Sequence, residues 1–355
     1  MSAAPDTDAP DACIVATASY IPVSRVPLIA LFGHAPELLE QMADAREALM
    51  QSVYADTIHW RQTESPAGPA DANDLATPPD ASGILTVAVE RELMLSDMAL
   101  HVTRRLLATA GHHAAADTID QIIVCQGSFE HDLTLSCACR LHCELGQGKA
   151  PFALGQLQGV SFVMALKVAA ALMATDAQTR TVLIVAAERW RPPFQRTIGA
   201  LTALGDGAAA VLVQTGAETG WSVRGLTVRT PAVSPGVERR LAWIDTATLT
   251  GVIDETCLQA GVSPAAIDWV LPAHLNRTLA RDISAQCGLS SARTVLVDAG
   301  STGYLCAADT PVNLDRLLHT IRPHPGQYIL TWSAGFQGQA ACALLQFRGG
   351  EHVRT

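Results

Sequence analysis

Residues 152–166, FALGQLQGVSFVMAL, pass from a strand-like apolar run through a turn into a helix-like run. A turn of this kind presents a Ser or Cys side chain at a helix N-terminus, where the dipole favours an anionic nucleophile. The residue at the turn is Gly159, which has no side chain to present. Ser161 stands two residues further on, inside the helical pattern, where a nucleophile would no longer sit on the turn. Downstream, the loop Pro272-Ala273-His274-Leu275-Asn276 offers His274 as the residue type of a general base. After Gly303 come Tyr304, whose phenol with an ordinary pKa of about 10 substitutes poorly for an imidazole, and the thiol of Cys306.

Other groupings carry less chemistry. Cys137, Cys139 and Cys143 with His142 suggest a metal site at first reading. However, Cys139 and Cys143 share a helix face at i, i+4 while Cys137 points elsewhere, and no second Cys/His pair follows at finger-like spacing. No metal site is expected. Gly205-Asp206-Gly207 lacks the frame of a phosphate loop and precedes a strand, so a tight turn is expected there. His112 and His113 follow a helix C-terminus, where cations are mildly favoured, and need no further role. Arg189, Arg191 and Arg196 form either a local basic patch for an acidic carrier protein or a solvated loop.

The 355 residues are 49% hydrophobic and 16% charged, enough apolar content for a substantial core. The net charge of −10 argues against general binding to nucleic acid or an anionic membrane. The acidic N-terminus MSAAPDTDAPDA has no basic region and no apolar stretch behind it, so no signal peptide is expected. The apolar helix expected over 160–174 is too short to span a membrane and reads as a buried central helix. Nine cysteines in a chain with no export signal point to reduced thiols in the cytoplasm.

Strand-like and helix-like segments alternate along the chain. Strands are expected at 12–18, 119–124, 181–187 and 208–214, then at 221–229, 268–271, 294–298, 327–332 and 340–347. Helices are expected at 97–110 with Ser96 as N-cap, 135–145, 160–174, 246–260, 277–287 and 304–320. Residues 61–83 are Pro/Ala/Asp-rich and aperiodic, a surface insertion. The alternation implies mostly parallel sheets covered on both faces, in two βαβαβ-type halves at 12–217 and 218–349.

On four blocks the chain resembles the thiolase superfamily, and within it β-ketoacyl-acyl-carrier-protein synthase III and its acyltransferase relatives. The blocks are SYIPVSRVP, IIVCQGSFEHDLTLSCACRLHCELG, ALGDGAAAVLV, and DWVLPAHLNRTL followed by AGSTGYLCAADTPVNL. With the intervening spacing, the resemblance covers most of residues 12–348. The resemblance implies a thiolase-like five-layered αβαβα fold and an obligate dimer with helix 135–145 at the interface. It implies acyl-CoA or acyl-carrier phosphopantetheine as ligand, and no other cofactor.

The resemblance also implies a catalytic Cys, a His, and a second His or Asn. Those positions fall on Gly159, Ala273 and Tyr304, so all three depart together. The anchors Pro272 and Asn276 put Ala273 towards the cavity and turn His274 away. A one-residue shift of that loop would instead make His274 the histidine, and a two-residue shift of the first block would make Ser161 the nucleophile. Cys306 is a further fallback, and Asn276 and Tyr304 are candidate substrate ligands.

Two functions are compatible with this pattern. One is the non-catalytic partner of an active paralogue, in a homo- or heterodimer serving fatty-acid-like or specialised-metabolite biosynthesis. The other is direct acyl transfer from a bound thioester, with His274 as base and Tyr304 and Asn276 donating to the carbonyl.

Overall fold

The computed structural model describes residues 12–33, 58–59, 83–110, 118–130, 132, 134–192, 194–198, 201–231, 242–296 and 300–349. The expected insertion at 61–83, apart from Gly83, and the pair His112 and His113 lie outside the described residues.

Nine strands form the main sheet: β1 (Ala12–Tyr20), β2 (Gln121–Gln126), β3 (Phe152–Gly155), β4 (Thr181–Glu188), β5 (Gly207–Thr215), β6 (Gly220–Arg229), β7 (Trp269–Pro272), β8 (Tyr328–Ala334) and β9 (Ala340–Gly349). Their order is β7-β8-β9-β6-β1-β5-β4-β2-β3. The sheet is two sub-sheets joined at a narrow seam, where β1 meets β6 only through Cys13–Ser222 and Ile14–Trp221.

Six principal helices cover it: α1 (Leu95–Ala110), α2 (Cys137–Leu145), α3 (Ser161–Thr175), α4 (Thr246–Ala260), α5 (Arg277–Gln286) and α6 (Asp309–Thr320). Period-2 alternation along the strands sorts side chains between layers. In β2, Ile123 and Cys125 face the central core, while Ile122 and Val124 face α1 and α2. In β9, Leu345 and Phe347 face the centre, while Cys342 and Leu344 face α4 and α5. Phe162 and Leu166 of α3 and Val312 and Leu317 of α6 fill the central layer between the sub-sheets. The result is the α-β-α-β-α stack of the thiolase-like fold. Because β4 and most of β5 are buried on both faces, their sequences read as continuous apolar runs.

The sheet is mixed rather than mostly parallel. β2 pairs in parallel with β3 and β4, and β7 with β8, but the other five ladders are antiparallel. The links β4–β5 and β8–β9 contain no crossover helix, and such links return the chain antiparallel, while β5 and β6 both pair antiparallel with β1 from its two sides.

Three further expectations are corrected. Ser96 is not the N-cap of α1: the helix begins at Leu95, and the Asp97 carboxylate accepts the Met94 N–H at 2.9 Å. Of the expected strand 294–298, residues 297–298 lie outside the described residues, and over 294–296 only Thr294 bridges to Val270. The expected helix 304–320 begins as a bridge from Tyr304 to Leu204, then a 3₁₀ turn (Cys306–Ala308), then α6. Left-handed backbone at Gly303 (φ 72°) and Cys306 (φ 49°) interrupts any helix there.

The 3₁₀ turn Gln158–Val160 and α3 together run 18 residues at a mean hydropathy of 1.5, long and apolar enough by length and composition to cross a membrane. The expected span of 160–174 missed this added turn. Half of the stretch is buried within the fold, as the central layer requires.

Candidate active site

Between β3 and α3 the chain turns through Gln156 (φ 64°) and Gln158 (φ 48°), two non-glycine residues in the left-handed region. Such backbone costs about 1–3 kcal/mol per residue and concentrates at functional sites. Gly159 follows, buried, at the head of the helical segment.

Tyr304 reaches this turn from the segment after Gly303. Its backbone is pinned by Tyr304 N–H to Ala203 O (2.8 Å) and Gly205 N–H to Tyr304 O (3.0 Å). The side chain is fully buried, its ring edge-on to Phe336 with centroids 6.0 Å apart. Tyr304 Oη donates to Ala334 O at 3.2 Å. A Cβ placed on Gly159 would overlap Tyr304 Oη, and would stand 3.2 Å from both Tyr304 Cζ and Ala334 O. The phenol therefore occupies the volume a side chain at position 159 needs. Burial raises its pKa well above 10, with Cys306, Asp309 and Glu188 adding to the shift, so it stays neutral.

A backbone donor from the β8–β9 link meets this turn and is occupied. Phe336 N–H donates to Gln158 Oε1 at 2.9 Å. Paired backbone N–H groups are what stabilises a developing oxyanion in acyl transfer. Here the Phe336 N–H is satisfied by the chain's own Gln158, and the Tyr304 phenol fills the space beside Gly159. Nothing in the sequence pattern flagged Gln158.

The other candidates fall into distinct surroundings. Ala273 is buried in the same core cluster as Tyr304 and brings only a methyl group. His274 donates its backbone N–H to Asp309 Oδ2 at 2.9 Å, while neither ring nitrogen has a hydrogen-bond partner. Burial, with Arg316 and Arg277 nearby, lowers its pKa to about 3 and leaves it a weak base. Asn276 is spent on structure. Its Oδ1 caps α5 by accepting from Thr278 N (3.0 Å) and Leu279 N (3.1 Å), and its Nδ2 donates to Leu201 O (3.1 Å). Ser161 is the first residue of α3, fully buried, with no partner for Oγ.

Cys306 is also fully buried, close to Glu188, a residue the sequence pattern did not single out. At the end of β4, Glu188 accepts from Gly127 N (2.7 Å), Ser128 N (2.7 Å), Ser128 Oγ (2.6 Å) and Ala307 N (3.0 Å). Burial pushes its pKa up to about 7 against these donors, and raises that of Cys306 as well. The signal available was a lone acid closing the apolar run TVLIVAAE.

The expected basic patch does not form. Arg189 is only 5% exposed, and Arg196 is locked onto buried Asp206 through 2.7 and 2.8 Å contacts, leaving Arg191 as the exposed member. Asp206 also accepts from Trp190 N and Glu90 N, both at 2.8 Å, so it ties loops together as well as sitting in the Gly205–Gly207 turn. Among the described residues no group of three His, Cys, Asp or Glu side chains is placed to hold a metal ion. Cys137 is buried, whereas Cys139 and Cys143 are exposed.

Comparison with known proteins places these features in context. The family model for 3-oxoacyl-[acyl-carrier-protein] synthase III matches residues 156–231, and its C-terminal counterpart matches 257–347. A β-ketoacyl-[acyl-carrier-protein] synthase III of Roseobacter denitrificans is 32% identical over 252 residues, which is 64% of this chain and 76% of the relative. The corresponding protein of Acidiphilium cryptum is 27% identical, covering 70% and 83%. Among solved structures, the Pseudomonas aeruginosa synthase FabH superposes with a TM-score of 0.67 at 19% identity, covering 95% of this chain and 98% of that one. The acyltransferase ChlB3 superposes with a TM-score of 0.71 at 19% identity, covering 98% and 100%. At these identities the structural likeness shows the fold.

Proposed function

The chain belongs to the 3-oxoacyl-[acyl-carrier-protein] synthase III family, and from that premise we propose that it runs no acyl-enzyme chemistry and serves as the non-catalytic partner of an active paralogue. Gly159, Ala273 and Tyr304 take the positions of the nucleophile, its histidine and the third catalytic residue. The observation that carries this reading is the overlap of Tyr304 Oη with the side-chain volume of position 159. A lost nucleophile leaves an empty site, whereas here the space is refilled and the neighbouring Phe336 N–H is bonded to Gln158. Members of such a set act as a unit, so their joint loss removes catalysis rather than weakening it in steps.

Direct transfer draws less support. It needs His274 as a base, and an imidazole whose pKa lies near 3 takes up a proton poorly at neutral pH. It also needs Tyr304 and Asn276 free to donate to a thioester carbonyl, and both already donate to backbone carbonyls.

The working surface in this reading is the sheet edge at β3 with the neighbouring helix α2, where Phe129 and Leu135 are exposed. Free thiols throughout accord with a cytoplasmic setting. The ligand at the assembled site is an acyl-CoA or acyl-carrier thioester, held by the active partner.

The test is intact-mass analysis of the chain after incubation with acyl-CoA and acyl-carrier thioesters, alone and co-expressed with a paralogue that keeps its Cys and His. We expect no adduct on residues 155–165, acylation of the paralogue, and a stable heterodimer. A mass shift mapped to Ser161, or two chains that never associate, would overturn the proposal.

A further inference from the structure

Cys139 and Cys143 stand four residues apart on α2, and both are exposed, whereas the remaining cysteines of the chain are buried. Residues at i, i+4 lie on one face of a helix, one turn above the other, with their Cβ atoms about 5–6 Å apart. That is too far for a disulfide, whose Cβ atoms lie about 3.5–4.5 Å apart, and both thiols are free. It is near enough for two sulfur atoms, each swinging on its own Cβ, to reach one ion from opposite sides.

The other polar side chains of the helix are engaged elsewhere. Arg140 bonds Ser96 Oγ at 2.6 Å and pairs with Asp97, and Glu144 pairs with Arg104 at 2.9 Å. His142 Nε2 meets Gly148 O at 3.1 Å. Cys137 is packed in the core with Ala138 and Leu141, and burial pushes its pKa up to about 12, so its thiol stays protonated. The face therefore offers two sulfur donors and no third ligand. Zn²⁺ in a protein takes four N, S or O ligands, and Ca²⁺ and Mg²⁺ take oxygens. Among the described residues no third His, Cys, Asp or Glu is placed to complete such a set. A soft monovalent d¹⁰ ion is satisfied by two thiolates in line, and thiolate ligands select Cu(I).

We propose that Cys139 and Cys143 form a two-coordinate site for one Cu(I) ion. Each thiol gives up its proton as its sulfur bonds the metal, so two protons pass to solvent and the ion stays Cu(I) throughout. The site uses none of the residues around Gly159 and Tyr304. It does not depend on the partner reading, because the isolated chain can bind the ion whether or not a paralogue docks on α2.

The test is anaerobic titration of the full, reduced chain with Cu(I) in competition with the coloured chelator bicinchoninate. One Cu(I) per chain should leave the chelator, and iodoacetamide should then no longer label Cys139 or Cys143. Affinity should rise with pH, because binding displaces two protons. Cys139→Ser and Cys143→Ser should each fold, both positions being exposed. Each should weaken binding by about a hundredfold or more, since one remaining thiolate cannot chelate. His142→Ala should bind as the parent does, and an equal concentration of Zn²⁺ should not displace the ion. Binding retained in either serine variant, loss of binding in His142→Ala, displacement by Zn²⁺, or half an equivalent of Cu(I) per chain would each overturn the proposal, as would no transfer from the chelator.

Discussion

Tyr304 Oη stands where the Cβ of any larger residue at position 159 would stand. Residues 159 and 304 are therefore sterically coupled, since the phenol in this position requires a glycine at 159. Gly159→Ala should destabilise the fold by about 1–3 kcal/mol through overpacking. Tyr304→Phe removes the clashing oxygen at the cost of its bond to Ala334 O. The double variant should then be more stable than the sum of the single losses predicts, by at least about 0.5 kcal/mol. Urea unfolding of the four proteins measures this coupling, and strict additivity would separate the two positions.

The parts of this site differ in how far sequence could reach them. Thr181–Glu188 and Gly207–Thr215 were legible because strands buried on both faces become unbroken apolar runs. Helix α2 was legible from its ends, Ser136 accepting from Cys139 N and Gly146 taking the left-handed C-cap at φ 63°. The approach of Tyr304 to Gly159 was not legible, because it joins segments 145 residues apart and depends on the backbone at Gly303 and Cys306 turning left-handed. Gln158 and Glu188 escaped for the same reason, their roles being set by donors on distant loops. Ser96 misled because a local cap signal cannot reveal that Asp97 and Glu130 already serve that helix end.

Thiol reactivity should be confined to one helix face. Of nine cysteines only Cys139 and Cys143 are exposed, and burial raises the pKa of Cys13, Cys125, Cys137 and Cys287 to about 12 or above. Because the thiolate is the reacting species, native-state alkylation should add two labels per chain, both on α2. Mass spectrometry after brief iodoacetamide treatment checks this. Protection of that pair on mixing with an active paralogue would mark α2 as covered in the complex.

The Asp206–Arg196 pair should be costly to break from one side. Asp206 is fully buried and takes two contacts from Arg196 besides two backbone N–H bonds. Arg196→Met leaves that carboxylate without its cation and should cost about 3–5 kcal/mol. Adding Asp206→Asn should recover part of the loss, because the buried charge is then gone. Denaturant midpoints of the three proteins decide it, and a double variant no better than Arg196→Met would contradict the pairing argument.

His274 should leave a signature in the pH dependence of stability. Its folded pKa, near 3, lies below the ordinary 6.5, so between those values the unfolded chain binds a proton that the native chain excludes. Its contribution to stability therefore rises as pH climbs from 3 to 6.5. Glu188 and Asp309 act in the opposite sense. Both are raised by burial to about 7, so the native chain holds protons that the unfolded chain has released, and their contribution falls as pH rises from about 4 to 7. The opposing slopes mask each other in the parent protein and separate in a variant. His274→Leu removes an imidazole whose ring nitrogens have no partners, so it should be tolerated, and its stability relative to the parent should improve as the solution is acidified. From pH 7.5 to pH 5 that relative gain should be roughly 2 kcal/mol, as the linkage of one such group requires. Chemical unfolding at the two pH values measures it, and parallel stability profiles would show that His274 exchanges its proton with solvent as freely in the native chain as in the unfolded one.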